Sequence, residues 1–306
     1  MNENILPKSV LGRTDLEITK LGFGTALRRK MSESEWQNLL STVLDSNINF
    51  IDTANDYGAN WGISAEDQIG KHISTRRSEF YLATKCGCAP GGGEHIWTKE
   101  NVFRGLHESL LRLKTDYVDL MQYHNPTVEE SQAEDLISVL QEMREQGKVR
   151  WLGISTTLPH LPFFLETGVF DSFQIPYSAL EREHEDWISK SAKQGIGIII
   201  RGGVAQGQPS GKTSERDKSL NRSLKWEIFD KANLKDLLDE GESPTTLILR
   251  YTLSNVYAHT NIVGTTRTDH LKENIKGILK GPLSKEIYTE MKHRLDLIGE
   301  SPSKVL

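Results

Sequence analysis

Four residues of this 306-residue chain, Asp52, Tyr57, Lys85 and His124, are of types that can move a proton together. Asp52 stands in the apolar run Phe50-Ile51-Asp52-Thr53-Ala54, and Tyr57 follows five positions later in Asn55-Asp56-Tyr57-Gly58. Lys85 closes Tyr81-Leu82-Ala83-Thr84-Lys85, and His124 closes Met121-Gln122-Tyr123-His124. A lysine inside an apolar strand needs a carboxylate, and here that pair falls beside a phenol and an imidazole. A free tyrosine, with a pKa of about 10, is too weak an acid for catalysis near neutrality. An adjacent ammonium stabilises phenolate and is expected to draw that value down toward the working pH. Lys85 is read as that ammonium and Asp52 as the group that keeps it charged and fixed. His124 is read as the hydrogen-bonding partner of a substrate oxygen, aligning or relaying the proton. Such a machine protonates a carbonyl oxygen. Net reduction also needs hydride at the carbonyl carbon, which no side chain supplies, so the chemistry requires a nicotinamide cofactor.

The elements that must position these groups alternate along the chain. Short β-branched or aromatic runs occur at Leu21 to Thr25, Phe50 to Ala54, Phe80 to Lys85 and Tyr117 to His124, then at Val149 to Thr156, Ser172 to Tyr177, Gly195 to Gly202 and Asn261 to Thr265. Between them lie amphipathic segments such as Ser34 to Ser46, Lys99 to Leu113 and Val128 to Gln146. Ser32-Glu33-Ser34-Glu35 reads as a capping box, and Gly147 as a left-handed helix stop. Eight strand-helix repeats predict an α/β fold, a closed (β/α)8 TIM barrel forming one domain over residues 1–306. A doubly wound dinucleotide fold would carry Gly-x-Gly-x-x-Gly at its first turn. This chain has Gly22-Phe23-Gly24-Thr25-Ala26-Leu27, without the third glycine. In a βα barrel the working side chains project from the C-terminal ends of the strands, where all four residues fall.

Two pieces stand outside the repeat. Val10 to Thr19, turning at Gly12 to Asp15, reads as a hairpin plugging the barrel floor. Gly203 to Ser243 is a long polar connection after the seventh strand, with an amphipathic piece around Trp226 to Leu238, and reads as a lid.

Composition narrows the partners. The chain is 37% hydrophobic and 26% charged, with 37 Lys and Arg against 42 Asp and Glu, so it offers no electrostatic footprint for nucleic acid. No run approaches the roughly 18 apolar residues of a membrane span. The N-terminus lacks a basic segment followed by an apolar one, and a cytoplasmic location is expected. Cys86 and Cys88 are separated by one residue, too close for an ordinary disulfide. Cys86 reads as a small packing residue. The nine histidines contain no His-x-His or His-Glu-x-x-His pair, so no metal site is expected. Gly91-Gly92-Gly93 beside His95 reads as a flexible loop over the mouth, while Trp61, Trp97 and Asn125 are candidate pocket walls.

The same four positions, in their strand contexts, are where the chain resembles the aldo-keto reductase superfamily. The likeness runs from Leu11-Gly12-Arg13-Thr14 and Leu21-Gly22-Phe23-Gly24-Thr25 through Phe50 to Gly58 and Asp119 to His124, ending at Gly264 to Asn274. It implies an eight-stranded βα barrel binding NADPH or NADH without a Rossmann motif, with Tyr57 as general acid and Asp52, Lys85 and His124 completing a catalytic tetrad. By the same resemblance Gly24, Thr25 and Asp52 belong to the cofactor site, Ser155 and Gln174 bind the carboxamide, and Tyr177 stacks on the nicotinamide ring. Thr156 stands where many relatives have asparagine.

At the nucleotide end, free N–H groups at Thr265, Thr266 and beyond form an expected phosphate site, with Arg267 pairing an extra ribose phosphate. This makes NADP(H) the preferred cofactor, with NAD(H) possible. Gly264, Thr265 and His270 replace the lysine, serine and arginine common in the superfamily, and Asn274 resembles the residue that reads adenine. Arg201-Gly202-Gly203-Val204 replaces the usual serine-proline-leucine run, leaving the pyrophosphate contacts there unassigned. The expected activity is reduction of a small aldehyde or ketone, or oxidation of the alcohol. The rival is a cofactor-binding, redox-sensing subunit similar to the potassium-channel β subunits. Neither substrate identity nor oligomeric state is legible in the sequence.

Overall fold

The computed structural model describes residues 5–27, 29–89, 92–209 and 222–303. A two-stranded antiparallel hairpin, β1 (Lys8–Val10) and β2 (Glu17–Thr19), precedes eight parallel strands that close on themselves. These are β3 (Leu21–Gly24), β4 (Phe50–Asp52), β5 (Tyr81–Cys86), β6 (Val118–His124), β7 (Val149–Ser155), β8 (Ser172–Pro176), β9 (Gly197–Arg201) and β10 (Thr260–Val263). β10 pairs with both β9 and β3, which closes the cylinder and confirms the TIM barrel. Helices pack outside it.

Strand alternation sorts the side chains into two layers. Outward residues such as Ile51, Leu82, Met121, Leu152, Phe173 and Ile200 belong to the large core shared with the helices. Inward ones, Phe50, Ala83, Leu120, Ile199 and Ile262, fill the floor together with Leu11, Leu16 and Ile18 of the hairpin. The hairpin is thus the expected plug. Gly12 is left-handed (φ +54°), and a Cβ there would lie 2.2 Å from the Gly197 nitrogen, so the turn rests directly on the start of β9.

Several expected boundaries move. The stretch from Val128 to Gln146 is two helices, Val128–Ala133 and Leu136–Glu145, broken where Asp135 turns left-handed (φ 48°). The capping box forms as expected: Ser32 accepts from the Glu35 nitrogen while Glu35 accepts from the Ser32 nitrogen. In the long connection after β9, residues 210–221 lie outside the described residues, as does Gly91 in the glycine run. The described remainder is tied down. Helix Arg222–Lys231 buries Trp226, whose Nε1 donates to the Ala205 carbonyl, and Lys225 pairs with Glu181 at 2.5 Å.

Candidate active site

Every inward position above the floor layer points into one mouth, and the strands deliver their side chains there in register. Asp52 pairs in register with Ala83, and Lys85 with Gln122. Lys85 is fully buried; its Nζ donates to Asp52 Oδ2 at 2.6 Å and to the Thr53 carbonyl at 2.9 Å. The other Asp52 oxygen accepts from Gln122 Nε2 at 3.0 Å and Gln174 Nε2 at 2.8 Å. Gln174 Nε2 also reaches Gln122 Oε1 at 3.2 Å. Burial alone would strip the Lys85 proton, but the charges of Asp52 and Tyr57 and their hydrogen bonds outweigh it and hold the amine above its ordinary value. The ammonium form is therefore favoured.

Tyr57 leans over this pair, with Lys85 Nζ 4.8 Å from its ring centroid. Burial pushes the phenol upward, and the Lys85 charge and hydrogen bond pull it back only in part, leaving it above its ordinary value. This corrects the expectation of an acidified phenol. Desolvation exceeds the ammonium's pull because the half-buried ring packs against the core. The hydroxyl is consequently protonated at neutral pH, the state a proton donor needs.

His124 meets the Tyr57 ring edge-on at 5.8 Å between centroids. Burial first, then the charges of Lys85, His95 and Arg201, hold its imidazole well below the usual histidine value, so it is neutral. Its Nδ1 faces Asp56 Oδ1 at 3.6 Å and Cys88 Sγ at 3.8 Å, which leaves Nε2 for a ligand. The four sequence-predicted residues thus converge.

The cofactor positions divide. Thr156 is buried with Oγ1 lacking any hydrogen-bond partner, and its backbone nitrogen donates to the Gln174 carbonyl, so an unpaired group waits beside Ser155 and Gln174. Thr25 is spent on structure: its nitrogen and hydroxyl bond the Asp52 carbonyl and Thr53 Oγ1. Gly24 ends β3 where Gly264 follows β10, and a Cβ on Gly264 would come within 2.9 Å of the Gly24 carbonyl.

Tyr177 is a correction. It has the parity of Phe173 and Ile175, faces outward, is fully buried and packs 6.1 Å from Tyr251, so it cannot offer a face to a ring in the mouth. Trp97 likewise packs, edge-on against Tyr123, whereas Trp61 lines a cleft with Thr25, Leu27 and Arg29.

At the nucleotide end the helix starts at Thr268, later than expected, with Arg267 at its N-cap and no side-chain cap bond. The Arg267 nitrogen is already bonded to Thr265 Oγ1, so the free N–H groups belong to the turn beyond it. The Arg267 guanidinium is exposed and pairs with Asp269. Arg29 approaches from the first loop, donating to Thr266 Oγ1 at 3.1 Å. His270 is exposed on the helix's first turn and Asn274 is buried beneath it.

Two residues were missed by the motif reading. Gln122 and Arg201 share inward parity with Leu120 and Ile199, and that parity is the signal that could have found them. Gly153 makes room for Gln122, since a Cβ there would meet Gln122 Cγ at 3.0 Å. Arg201 closes β9 with its Nε buried and unpartnered. Desolvation lowers its pKa against the charges of Glu181, Tyr57 and Asp52, which places a guanidinium at the mouth.

Fold and site together define a parallel βα barrel with a buried lysine–carboxylate pair, a tyrosine and a histidine gathered at the C-terminal end of its strands. The chain belongs to the aldo/keto reductase family, whose model matches residues 20–295, and is an oxidoreductase of that family, which works with nicotinamide cofactors. It is 29% identical to the "Uncharacterized oxidoreductase YqkF" of Bacillus subtilis (strain 168), over 91% of this chain and 93% of that protein. It is 24% identical to the "Probable voltage-gated potassium channel subunit beta" of Arabidopsis thaliana, over 89% and 91%. The solved "aldo-keto reductase AKR11C1 from Bacillus halodurans (holo form)" superposes with a TM-score of 0.81 at 27% identity, covering 99% of this chain and 98% of that one. Among the described residues no helix is long and apolar enough to cross a membrane.

Proposed function

We propose that the chain reduces a small aldehyde or ketone with NADPH, Tyr57 giving the proton. The observation that carries this reading is the buried Lys85–Asp52 pair at 2.6 Å beneath the Tyr57 ring. Bound nicotinamide supplies the hydride. Tyr57 donates its hydroxyl proton to the substrate oxygen, and the Lys85 ammonium stabilises the phenolate left behind. Asp52, oriented by Gln122 and Gln174, keeps Lys85 in place. Neutral His124 hydrogen-bonds the oxygen from Nε2 without placing a second cation beside Lys85. The orphaned Thr156 Oγ1, with Ser155 and Gln174, fits a carboxamide; the uncapped helix at Thr268 fits a phosphate. Arg29 and Arg267 beside that helix support the 2′-phosphorylated nucleotide over NAD(H). Arg201 supplies a cation to an oxygen at the mouth. One compact barrel over residues 1–306 acting in the cytoplasm completes the reading.

Replacing Tyr57 by Phe tests it. Turnover of a panel of small carbonyls should fall about 10²- to 10⁴-fold, while NADPH binding, followed by cofactor fluorescence, stays near wild type and tighter than NADH binding. Wild-type turnover in Tyr57→Phe removes the phenol from the mechanism. Likeness to a channel β subunit gives the sensor reading an observation of its own, and wild-type protein that binds NADPH tightly yet turns over no carbonyl would favour it.

A further inference from the structure

Beside the mouth, the chain between β5 and the helix Lys99–Leu113 doubles back on itself. Cys88 and His95 face one another across an isolated antiparallel bridge, flanked by hydrogen bonds from the Ala89 nitrogen to the Glu94 carbonyl and from the Ile96 nitrogen to the Gly87 carbonyl. Asn101 Nδ2 fastens both arms, donating to the carbonyls of Gly87, Cys88 and Ile96. Gly87 (φ +126°) lies flat under the Trp97 ring, where a Cβ would be 2.3 Å from the indole. These bonds hold the backbones of Cys88 and His95 side by side.

The Cys88 and His95 side chains meet His124. One ligand atom each from Cys88, His95 and His124 lies within 4.8 Å of the other two, and the His95 and His124 rings are 5.0 Å apart between centroids. Asp56 Oδ1 is buried there without a hydrogen-bond partner, 3.6 Å from His124 Nδ1. Nothing in the proton-transfer scheme uses Cys88, His95 or Asp56. Tetrahedral zinc, with bonds of about 2.3 Å to sulfur and about 2.1 Å to nitrogen, spaces its sulfur and nitrogen ligands roughly 3.6 Å apart. The Cys88 Sγ to His124 Nδ1 distance is 3.8 Å.

We infer that Cys88, His95 and His124 form a binding site for a soft divalent cation of the zinc class, with Asp56 or water in the fourth place, that holds the proposed catalytic imidazole. A thiolate with two imidazoles selects zinc over magnesium or calcium, which prefer all-oxygen shells. The ion enters from the exposed His95 side. Binding displaces the Cys88 thiol proton to solvent as the metal–sulfur bond forms, with no change of oxidation state. With Nδ1 engaged, the ring is locked with its remaining proton on Nε2, the tautomer that donates to the substrate oxygen in the reading above. The ion positions His124 and takes no part in the reaction; that consequence rests on the function proposed above, whereas the binding does not.

The test titrates the purified full chain with zinc chloride by calorimetry and with cobalt(II) by absorbance. Wild type should take up one ion and show a thiolate-to-cobalt charge-transfer band. Cys88→Ser should abolish that band and weaken binding at least ~10-fold, as should His95→Ala for affinity. His293→Ala, changing an exposed histidine elsewhere, should bind as wild type does. Circular dichroism melts establish that each variant is folded. Saturating zinc should preserve wild-type carbonyl turnover, because it fixes the donating tautomer, and should leave Cys88→Ser unaffected. Equal affinity in Cys88→Ser, or absence of the thiolate band, overturns the site. A bound ion that abolishes wild-type turnover while sparing Cys88→Ser overturns this positioning of His124. If the chain turns over no carbonyl, the cobalt spectrum still decides the site by itself.

Discussion

At Asp52, three side chains from three other strands converge on one carboxylate: Lys85 on one oxygen, Gln122 and Gln174 on the other. A buried ion pair gains little net stability, but removing one partner strands the other's charge in a low-dielectric core. Lys85→Met should therefore cost about 3–5 kcal/mol, read as a lower guanidinium midpoint at unchanged slope, as well as abolishing turnover. The double variant Lys85→Met/Asp52→Asn should recover part of that stability without recovering activity. A Lys85→Met protein as stable as wild type would mean that the two amides alone satisfy Asp52. At this scale the sequence was informative about residue types, since a lysine within Tyr81 to Lys85 called for a carboxylate. It misjudged Tyr57, because the depth to which a phenol is buried depends on groups distant in the chain.

Strand parity decides which residues act. Asp52, Lys85 and His124, the residues proposed to act, face the mouth because they lie an even number of positions from Phe50, Ala83 and Leu120 on the barrel floor. Tyr177 failed as a cofactor platform for the same reason, one step out of phase with Gln174. The opposite end of the cylinder depends on the hairpin. Replacing Gly12 with Ala puts a methyl into the backbone of Gly197 and forces a left-handed residue to carry a Cβ. We expect a loss of about 1–3 kcal/mol, visible in thermal melts, with the KM of any substrate unchanged because the mouth lies at the far end. An unchanged melt would show that the plug can lift off β9 without cost.

Across the molecule, several half-buried or buried histidines have lowered pKa values. His259 Nδ1 accepts the Ile198 nitrogen at 2.9 Å, and burial and the Lys20 charge lower its pKa to about 4. His184 Nε2 accepts the Leu158 nitrogen at 3.1 Å, and it and His124 are also lowered, chiefly by burial. A group whose folded pKa lies below its unfolded value of about 6.5 binds fewer protons when folded, so stability must fall with acidification. The contribution is complete above about pH 6.5 and is lost as pH drops through the window to about 4. For His259 this amounts to roughly 2–3 kcal/mol. Guanidinium midpoints measured from about pH 7.5 down to about pH 4.5 should decline, and less steeply in His259→Asn. Equal slopes in the two proteins would show that protonated His259 is accommodated.

Sequence by itself determined the eightfold alternation and the plug hairpin and singled out the four residues proposed to handle the proton, because periodicity and residue chemistry are local properties. Even Gln122 and Arg201 were legible in principle, through inward parity with Leu120 and Ile199. The outward face of Tyr177 was likewise legible through its parity with Phe173 and Ile175, whereas the left-handed break at Asp135 was not. Only the closed barrel decided how deep Tyr57 sits and how strongly burial raises it. It alone brought Cys88, His95 and His124 together, for no spacing rule joins a cysteine and a histidine on one turn to a histidine on the next strand.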